Sequence, residues 1–170
     1  MNENKKSNFG FTMVEVMVVV AIIGIMSAIA VPSFIGWLPD YRLRSETRDS
    51  VSGLNDMKLR AVADNSNAVI IFDLINHSYE SFVDDGDGTA TPGDYSRDGS
   101  ERILKGVTLV NGVEFLSSNF TSTTASYYYF GFNSRGLPST GATGGRITLQ
   151  NSNSKIMEVI INSAGNIRVP

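Results

Sequence analysis

The stretch that decides the fold is residues 10–32, which read GFTMVEVMVVVAIIGIMSAIAVP. It contains the start of an uncharged run of 24 residues from Val16 to Pro39. A helix of this run is roughly 36 Å long at about 1.5 Å per residue, and a hydrocarbon core is about 30 Å thick. Lys5 and Lys6 precede it, and short basic flanks stay in the cytoplasm. The sequence predicts a single-pass helix with its N-terminus in the cytoplasm and the rest of the chain outside.

Three interpretations of this segment are open from the residues alone. It is a plain membrane anchor, or a secretory signal removed at the A-x-A-like site Ser27-Ala28-Ile29-Ala30, or a segment that is processed at Gly10 and keeps its apolar helix. Glu15 argues against the secretory signal, because such a signal has no use for a carboxylate at the cytoplasmic end of its apolar run.

Residues 10–32 closely resemble the N-terminal signal of type IV pilins and type II secretion pseudopilins. The resemblance implies that a prepilin peptidase cleaves between Gly10 and Phe11 and that the new amino group of Phe11 is N-methylated. Glu15 would then be the fifth mature residue, the position of that family's conserved acid. The implied partners are the peptidase, inner-membrane lipid before assembly, and other pilins or pseudopilins bound through this helix.

The position of Glu15 has a physical rationale in a filament. An unpaired carboxylate is costly inside a low-dielectric helix bundle, and the N-terminal amine of a neighbouring subunit can neutralise it. The pair would report correct axial register, whereas the alternative is that Glu15 only marks the membrane interface.

The chain after the apolar run predicts a second, soluble stretch of helix over residues 40–65. Apolar and small residues recur there every three or four positions, which is typical of a helix with one buried face. The predicted buried positions are Leu43, Thr47, Val51, Leu54, Met57 and Ala61. Pro32 and Pro39 are expected to interrupt the helical hydrogen bonds, because proline has no N–H to donate.

Residues 68–170 predict strands. The candidates are residues 68–72, 79–83, 102–109, 113–116, 127–132, 146–149, 155–161 and 166–169. Asn111-Gly112 is the clearest two-residue hairpin signal. The predicted fold class is α+β, with a long transmembrane-plus-amphipathic N-terminal helix packed on a C-terminal antiparallel β-sheet. The predicted parts are a leader (1–10), an assembly helix (11–39) and a periplasmic domain (40–170).

Two short stretches resemble the GspH/FimT branch of the pilin-like proteins. They are residues 132–138, with the sequence FNSRGLP, and residues 164–169, with the sequence AGNIRV. The resemblance implies a minor pseudopilin of a type II secretion system, a structural subunit that takes part in protein secretion. The alternative is a minor pilin of a type IV pilus, serving priming, adhesion or DNA uptake.

Composition excludes several kinds of catalytic site. The chain has no cysteine and one histidine, His77, which excludes thiol chemistry and makes a Ser–His–Asp triad improbable. No convincing acid–base pair is evident, so the sequence predicts a protein that is not an enzyme and holds no cofactor, apart from a candidate calcium loop.

That loop lies in the acidic stretch 80–101, which holds seven acids and one base. Residues 84–89, DDGDGT, resemble the start of a calcium loop, in which oxygen ligands alternate along a tight turn. The candidate ligands are Asp85, Asp87 and Asp94. The pattern lacks the glycine and glutamate of an EF-hand at later positions, and a solvated acidic loop is the alternative.

Residues 102–170 carry six bases and two acids, which raises a DNA-binding hypothesis with Arg146 and Arg168 as candidate phosphate contacts. DNA-uptake pilins that resemble this chain carry Gly-Arg-x-Arg near the C-terminus, whereas the sequence here is Gly165-Asn166-Ile167-Arg168. The missing first arginine, and a net charge of −3 for the chain, make DNA an improbable partner.

Overall fold

The structure is a computed structural model that describes residues 10–86, 93–97, 101–122, 124, 126–139 and 144–170. One helix, α1 (Met13–Ala63), is followed by nine strands in the described part of the chain. The strands are β1 (Asn67–Asp73), β2 (Ser78–Asp84), β3 (Ile103–Thr108), β4 (Val113–Ser118), β5 (Thr121–Ser122), β6 (Tyr127–Phe132), β7 (Gly144–Asn151), β8 (Ile156–Asn162) and β9 (Ile167–Arg168). The α+β prediction is confirmed, and each predicted strand overlaps an observed one.

The chain divides into two compact units, the first ending at Leu38 and the second spanning Pro39–Pro170. In the first unit, the large apolar side chains of α1 are exposed all round the helix. The most apolar 18-residue window of α1 has a mean hydropathy of 2.7, and none of it is buried within the protein. By length and composition, α1 can cross a membrane.

In the second unit, α1 buries one face. Eight of its residues are buried: the acid Glu46, and the uncharged residues Leu43, Thr47, Ser50, Gly53, Leu54, Met57 and Ala61. The predicted face is therefore confirmed, with Val51 only partly buried against the core. Glu46, Ser50 and Gly53 were not predicted, because a hydrophobic pattern does not anticipate a buried acid, a buried hydroxyl or a glycine that allows close approach. A Cβ at Gly53 would lie 3.3 Å from the hydroxyl of Tyr79.

The polar sequence Asp64-Asn65-Ser66 ends the helix. Ser66 N donates to Ala61 O at 3.2 Å and satisfies one of the last helical carbonyls. Asn65 takes a positive φ of 50°, a left-handed conformation that asparagine tolerates better than most residues. The chain then reverses directly into β1.

The strands form two antiparallel sheets with the core between them and α1. Sheet A has the order β3-β2-β1-β6-β5, and sheet B has the order β4-β7-β8-β9. Phe72 is central: its ring contacts Phe115 at 5.4 Å and Phe120 at 5.7 Å between centroids, which joins β1 of sheet A to β4 of sheet B and to the short connection that follows β4. Phe130 and Phe132 of β6 complete this aromatic cluster at 0% exposure.

The hairpin prediction at Asn111-Gly112 is wrong. The turn exists, with Gly112 at φ 91°, but β3 pairs with β2 whereas β4 pairs with β7 in the other sheet. Val113 and Phe115 explain the crossover, because their buried side chains face the core from sheet B. Local turn chemistry fixed the reversal, and burial selected the pairing partner.

The expected interruption at Pro32 and Pro39 is also not observed, since α1 is helical from Met13 to Ala63 through both residues. Each proline removes only its own N–H from the ladder. Apolar membrane-type helices tolerate this loss more readily than the sequence rule suggests.

Glu46 is a buried carboxylate where α1 meets the segment between β3 and β4. It is 9% exposed, and its Oε1 accepts a hydrogen bond from Val110 N at 3.4 Å. Burial raises the pKa of Glu46; Asp49 adds to the rise, while the Val110 hydrogen bond and the more distant Lys105 oppose it. The ionised form is therefore a destabilising feature of the folded unit at neutral pH.

We expect Glu46→Gln to stabilise the protein at pH 7, because it removes the buried charge and keeps an acceptor for Val110 N. The melting temperature should rise by about 2–4 °C for each kcal/mol gained. The folded-state pKa is raised, so the advantage should shrink as the pH falls through it and below the ordinary value of 4.5. Thermal melts across pH test this, and a pH-independent difference would contradict it.

Candidate processing and assembly site

The N-terminus of α1 is closed by a reciprocal cap between Thr12 and Glu15. Glu15 N donates to Thr12 Oγ1 at 3.2 Å, while Thr12 N and Thr12 Oγ1 donate to Glu15 Oε2 at 3.2 and 3.3 Å. This is the capping-box arrangement of Thr-x-x-Glu, which satisfies two N–H groups that a helix start otherwise leaves unpaired. The cap uses Oε2 of the carboxylate, and a carboxylate can accept further hydrogen bonds at its other oxygen.

The predicted processing residues precede this cap in an open position. Phe11 is 88% exposed, and no atom of the described residues lies within 4 Å of a Cβ built at Gly10. The bond between Gly10 and Phe11 lies just outside the helix, which begins at Met13. Cleavage there would leave Thr12 and Glu15 on the same fragment and would remove neither partner of the cap.

Asp84, at the end of β2, organises the described part of the acidic stretch. Its carboxylate is 1% exposed and accepts hydrogen bonds from Gly93 N at 2.6 Å and Tyr95 N at 3.1 Å. Burial raises the pKa of Asp84, and the two N–H donors oppose that rise. Tyr95 stacks on Tyr129 with ring centroids 5.6 Å apart, so Asp84 fastens residues 93–97 to the outer side of sheet A.

Two of the three candidate calcium ligands, Asp85 and Asp94, lie among the described residues. Asp94 Oδ1 accepts from Ser96 N at 2.8 Å, and Asp87 lies outside the described residues. Among the described residues, which include Asp85, no three His, Asp or Glu side chains are grouped so that they could hold a metal ion. Sequence reasoning missed the structural role of Asp84, whose only signal was its position at the end of an apolar strand.

The two candidate DNA-contacting arginines do share a face. Arg146 on β7 and Arg168 on β9 both lie opposite Ile160 of β8, which puts their backbones about 10 Å apart on one side of sheet B. Arg146 Nη1 pairs with Glu158 Oε1 at 3.2 Å on the same side. A phosphate would have to compete with this carboxylate, which weakens the DNA hypothesis.

We expect the full chain in detergent to bind duplex DNA weakly and to lose binding at physiological salt, because Glu158 and the acidic stretch oppose the basic strands. Gel shifts across salt concentration test this, with Arg146→Ala/Arg168→Ala as the variant. A wild-type complex that survives at physiological salt, with a log-salt slope that falls by about one unit per lost contact in the variant, would establish DNA binding.

A groove of about 490 Å³ lies on the outer face of sheet A. It contains Asp73, Glu80, Arg97 and Tyr127. Glu80 pairs with Arg97 at 3.1 Å, and Asp73 accepts the side-chain N–H of Asn76 at 2.6 Å. The acids are thus engaged in structural contacts, and neither is poised as a general base.

Two family models match the chain. The prokaryotic N-terminal methylation motif matches residues 5–31, which include the cleavage site and the cap. The model of type II transport protein GspH matches residues 46–165, most of the second unit. The chain belongs to the GspH family. This membership confirms the sequence-based resemblance to the GspH/FimT branch of the pilin-like proteins.

Curated relatives match this GspH-family chain over about a third of its length. The type IV major fimbrial protein FimA of Dichelobacter nodosus is 45% identical over 56 residues, which are 33% of this chain and 32% of FimA. A fimbrial protein of Pseudomonas aeruginosa is 43% identical over 56 residues, 33% of this chain and 34% of that protein. The match thus spans about a third of these relatives.

Solved structures match the fold of the GspH-family chain more broadly. The minor pseudopilin EpsH of the Vibrio cholerae type 2 secretion system gives a TM-score of 0.55 at 11% identity, covering 76% of this chain and 96% of EpsH. The type IV minor pilin FimU of Pseudomonas aeruginosa gives 0.54 at 12% identity, covering 77% of this chain and 90% of FimU. These matches confirm the pilin-like α+β fold, and their scores do not distinguish a pseudopilin from a pilin.

Proposed function

We propose that the chain is made as an inner-membrane prepilin, is cleaved between Gly10 and Phe11, and then serves as a minor subunit of a type II secretion pseudopilus. In this proposal the new amino group of Phe11 is methylated, and the second unit lies in the periplasm. The match of residues 46–165 to the GspH model carries the proposal, because the methylation motif is shared with pili.

The apolar first half of α1 supports both stages of this life cycle. Its side chains are exposed in the single subunit, with Val18, Ile22 and Ile25 each more than half exposed. In the membrane, lipid tails cover such a surface. In a filament, neighbouring helices cover it instead, so the same residues serve anchoring and assembly.

Glu15 has two compatible roles in this proposal. Its Oε2 closes the subunit's own helix through Thr12, and its charge pairs with the amine of a neighbouring subunit's N-terminus. A carboxylate with two oxygens can serve both partners, and the ion pair removes the cost of a buried charge in the bundle.

Processing is tested by Gly10→Val. We expect the full-length precursor to accumulate, because a branched side chain next to the scissile bond obstructs a peptidase site built for glycine. Intact mass of the membrane-extracted protein measures the mature fraction. Gly24→Val is the matched control, since a Cβ at either glycine meets no described atom within 4 Å and only Gly10 borders the cleavage site. Normal maturation of Gly10→Val, or a mature N-terminus at Val31, would overturn the processing step.

The two roles of Glu15 are separated by two substitutions. Glu15→Gln keeps the acceptor of the capping box but removes the charge, whereas Glu15→Ala removes both. We expect both variants to insert in the membrane and both to crosslink less to other pseudopilins, because each lacks the ion pair. Wild-type crosslinking by Glu15→Gln together with loss in Glu15→Ala would show that only the cap matters.

The secretion role is tested in cells that lack this gene. We expect folded secretion substrates to accumulate in the periplasm, with export restored by the wild-type gene but not by Gly10→Val. Intact secretion combined with loss of pilus-dependent motility or DNA uptake would favour the type IV pilus alternative.

A further inference from the structure

Two turns of the second unit are fastened to the start of its helical segment. Arg42 Nη1 donates to Asn111 O at 3.1 Å, next to the turn between β3 and β4. Asp40 accepts from Asn151 Nδ2 at 2.9 Å and pairs with Lys155 Nζ at 2.6 Å, in the turn between β7 and β8. Ser152 N donates to Gly112 O at 3.1 Å, which ties the two turns to each other.

Exposed apolar side chains and arginines surround the place where the two turns meet the helix, and we call this group of residues the collar. The collar consists of Tyr41, Arg42, Arg44, Val110 and Ile156. Its three large apolar members are exposed: Tyr41 at 53%, Val110 at 43% and Ile156 at 52%. These side chains project from three separate segments that the hydrogen bonds above hold together, so the collar is a fixed surface of the second unit.

The charges of the collar are positive. The hydrogen bond from Lys155 is the largest cause that holds the pKa of Asp40 below its ordinary value, the hydrogen bond from Asn151 adds to it, and the positive charge of Arg44 contributes a weaker attraction. Among the described residues, neither Arg42 nor Arg44 forms an ion pair. The nearby acid Glu46 is buried and directed at Val110 N, whereas Asp49 is exposed more than one helical turn beyond Arg44. Each guanidinium has five N–H donors, so Arg42, which uses Nη1 for Asn111 O, and Arg44 both keep donors for an external anion.

The position of the collar in the sequence indicates which anion it meets. Pro39, the last residue of the uncharged run, is also the first residue of the second unit. Arg42 and Arg44 follow it by three and five residues, about 4.5 and 7.5 Å of helix. The polar layer on each side of a hydrocarbon core is roughly 5–8 Å thick. When this run of about 36 Å is centred on a core of about 30 Å, Arg42 lies near the outer edge of the headgroup layer and Arg44 lies a few ångström beyond it. The long side chain of Arg44 reaches back to the headgroups from there.

We propose that the collar is a docking surface for anionic phospholipid headgroups, in which Arg42 and Arg44 bind lipid phosphates and Tyr41, Val110 and Ile156 enter the interface. The proposal rests on the membrane-anchored state in the proposed function. Tyrosine and arginine both suit this layer, because each has an apolar stem and a polar tip. The docked subunit would be held against the membrane until assembly removes it.

The absence of cysteine makes a direct test simple. Val110→Cys carries a nitrobenzoxadiazole dye in the full chain, reconstituted in nanodiscs of phosphatidylcholine with or without phosphatidylglycerol. Leu137→Cys is the control position, because Leu137 is 41% exposed and its loop packs beside Lys58, at the other end of the helical segment. We expect a blue shift and quenching by brominated lipid at position 110, stronger with phosphatidylglycerol, and neither at position 137.

Arg44→Gln tests the charge. Each basic residue at an anionic surface contributes about a fivefold factor, so the ratio of docked to undocked protein should fall about fivefold in phosphatidylglycerol discs. Arg60→Gln is the matched control, an exposed arginine of the same helix that makes no ion pair among the described residues, and it should leave the ratio unchanged.

Three results would overturn the proposal: equal signals at positions 110 and 137, equal signals with and without phosphatidylglycerol, or equal effects of Arg44→Gln and Arg60→Gln. Membrane anchoring itself is read separately from co-elution of the chain with the discs. A chain that co-elutes but shows no lipid contact at position 110 would disprove the collar and leave the proposed function standing.

Discussion

One helical face, from Leu43 to Ala61, holds the second unit together by packing against both sheets. Leu43, Leu54 and Met57 are essentially fully buried, and the core they share includes Phe72 from sheet A and Leu149 from sheet B. The apolar side chains of each sheet are covered by the helix and the other sheet together. Because the hydrophobic effect scales with the apolar area removed from water, this shared core is the main source of stability in the unit.

The part of the same helix before Pro39 has no apolar core to pack against within the described residues. There its apolar side chains are exposed on every face, and the exposure of such a long apolar surface to water is energetically unfavourable. A protein of this design needs lipid or other helices around its first unit, whereas its second unit has a complete core of its own. In the proposed function, the division of α1 between two environments accounts for both the anchored and the assembled state.

Glu15 and Glu46 illustrate how the setting of a carboxylate decides its use. Glu15 is exposed in the subunit and caps α1 through Thr12. Glu46 is enclosed between α1 and Val110, and burial raises its pKa. Both are glutamates within apolar patterns, and only the first was singled out from the sequence, because it belongs to a motif that a resemblance supports.

Some candidate functional residues can be predicted from the sequence, and others are grouped only by the fold. Gly10, Phe11 and Glu15 are consecutive parts of one local motif, so their spacing is visible without a fold. Arg146 and Arg168 come together only through β8, and Glu158, the partner of Arg146, reduces what that arginine can bind. The collar joins residues about 70 to 115 positions apart in sequence, and no local pattern marks it.

The sequence by itself determined the membrane-type run, the buried face of α1 and the approximate positions of eight strands, because hydrophobic periodicity is a local property. Only the tertiary structure decided that β3 and β4 belong to different sheets, that Asp84 fastens residues 93–97, and that Glu46 is buried. The physical reason is that these outcomes depend on which distant apolar surfaces meet. A turn such as Asn111-Gly112 reverses the chain, but the strand that pairs beyond it is selected by the core that it helps to fill.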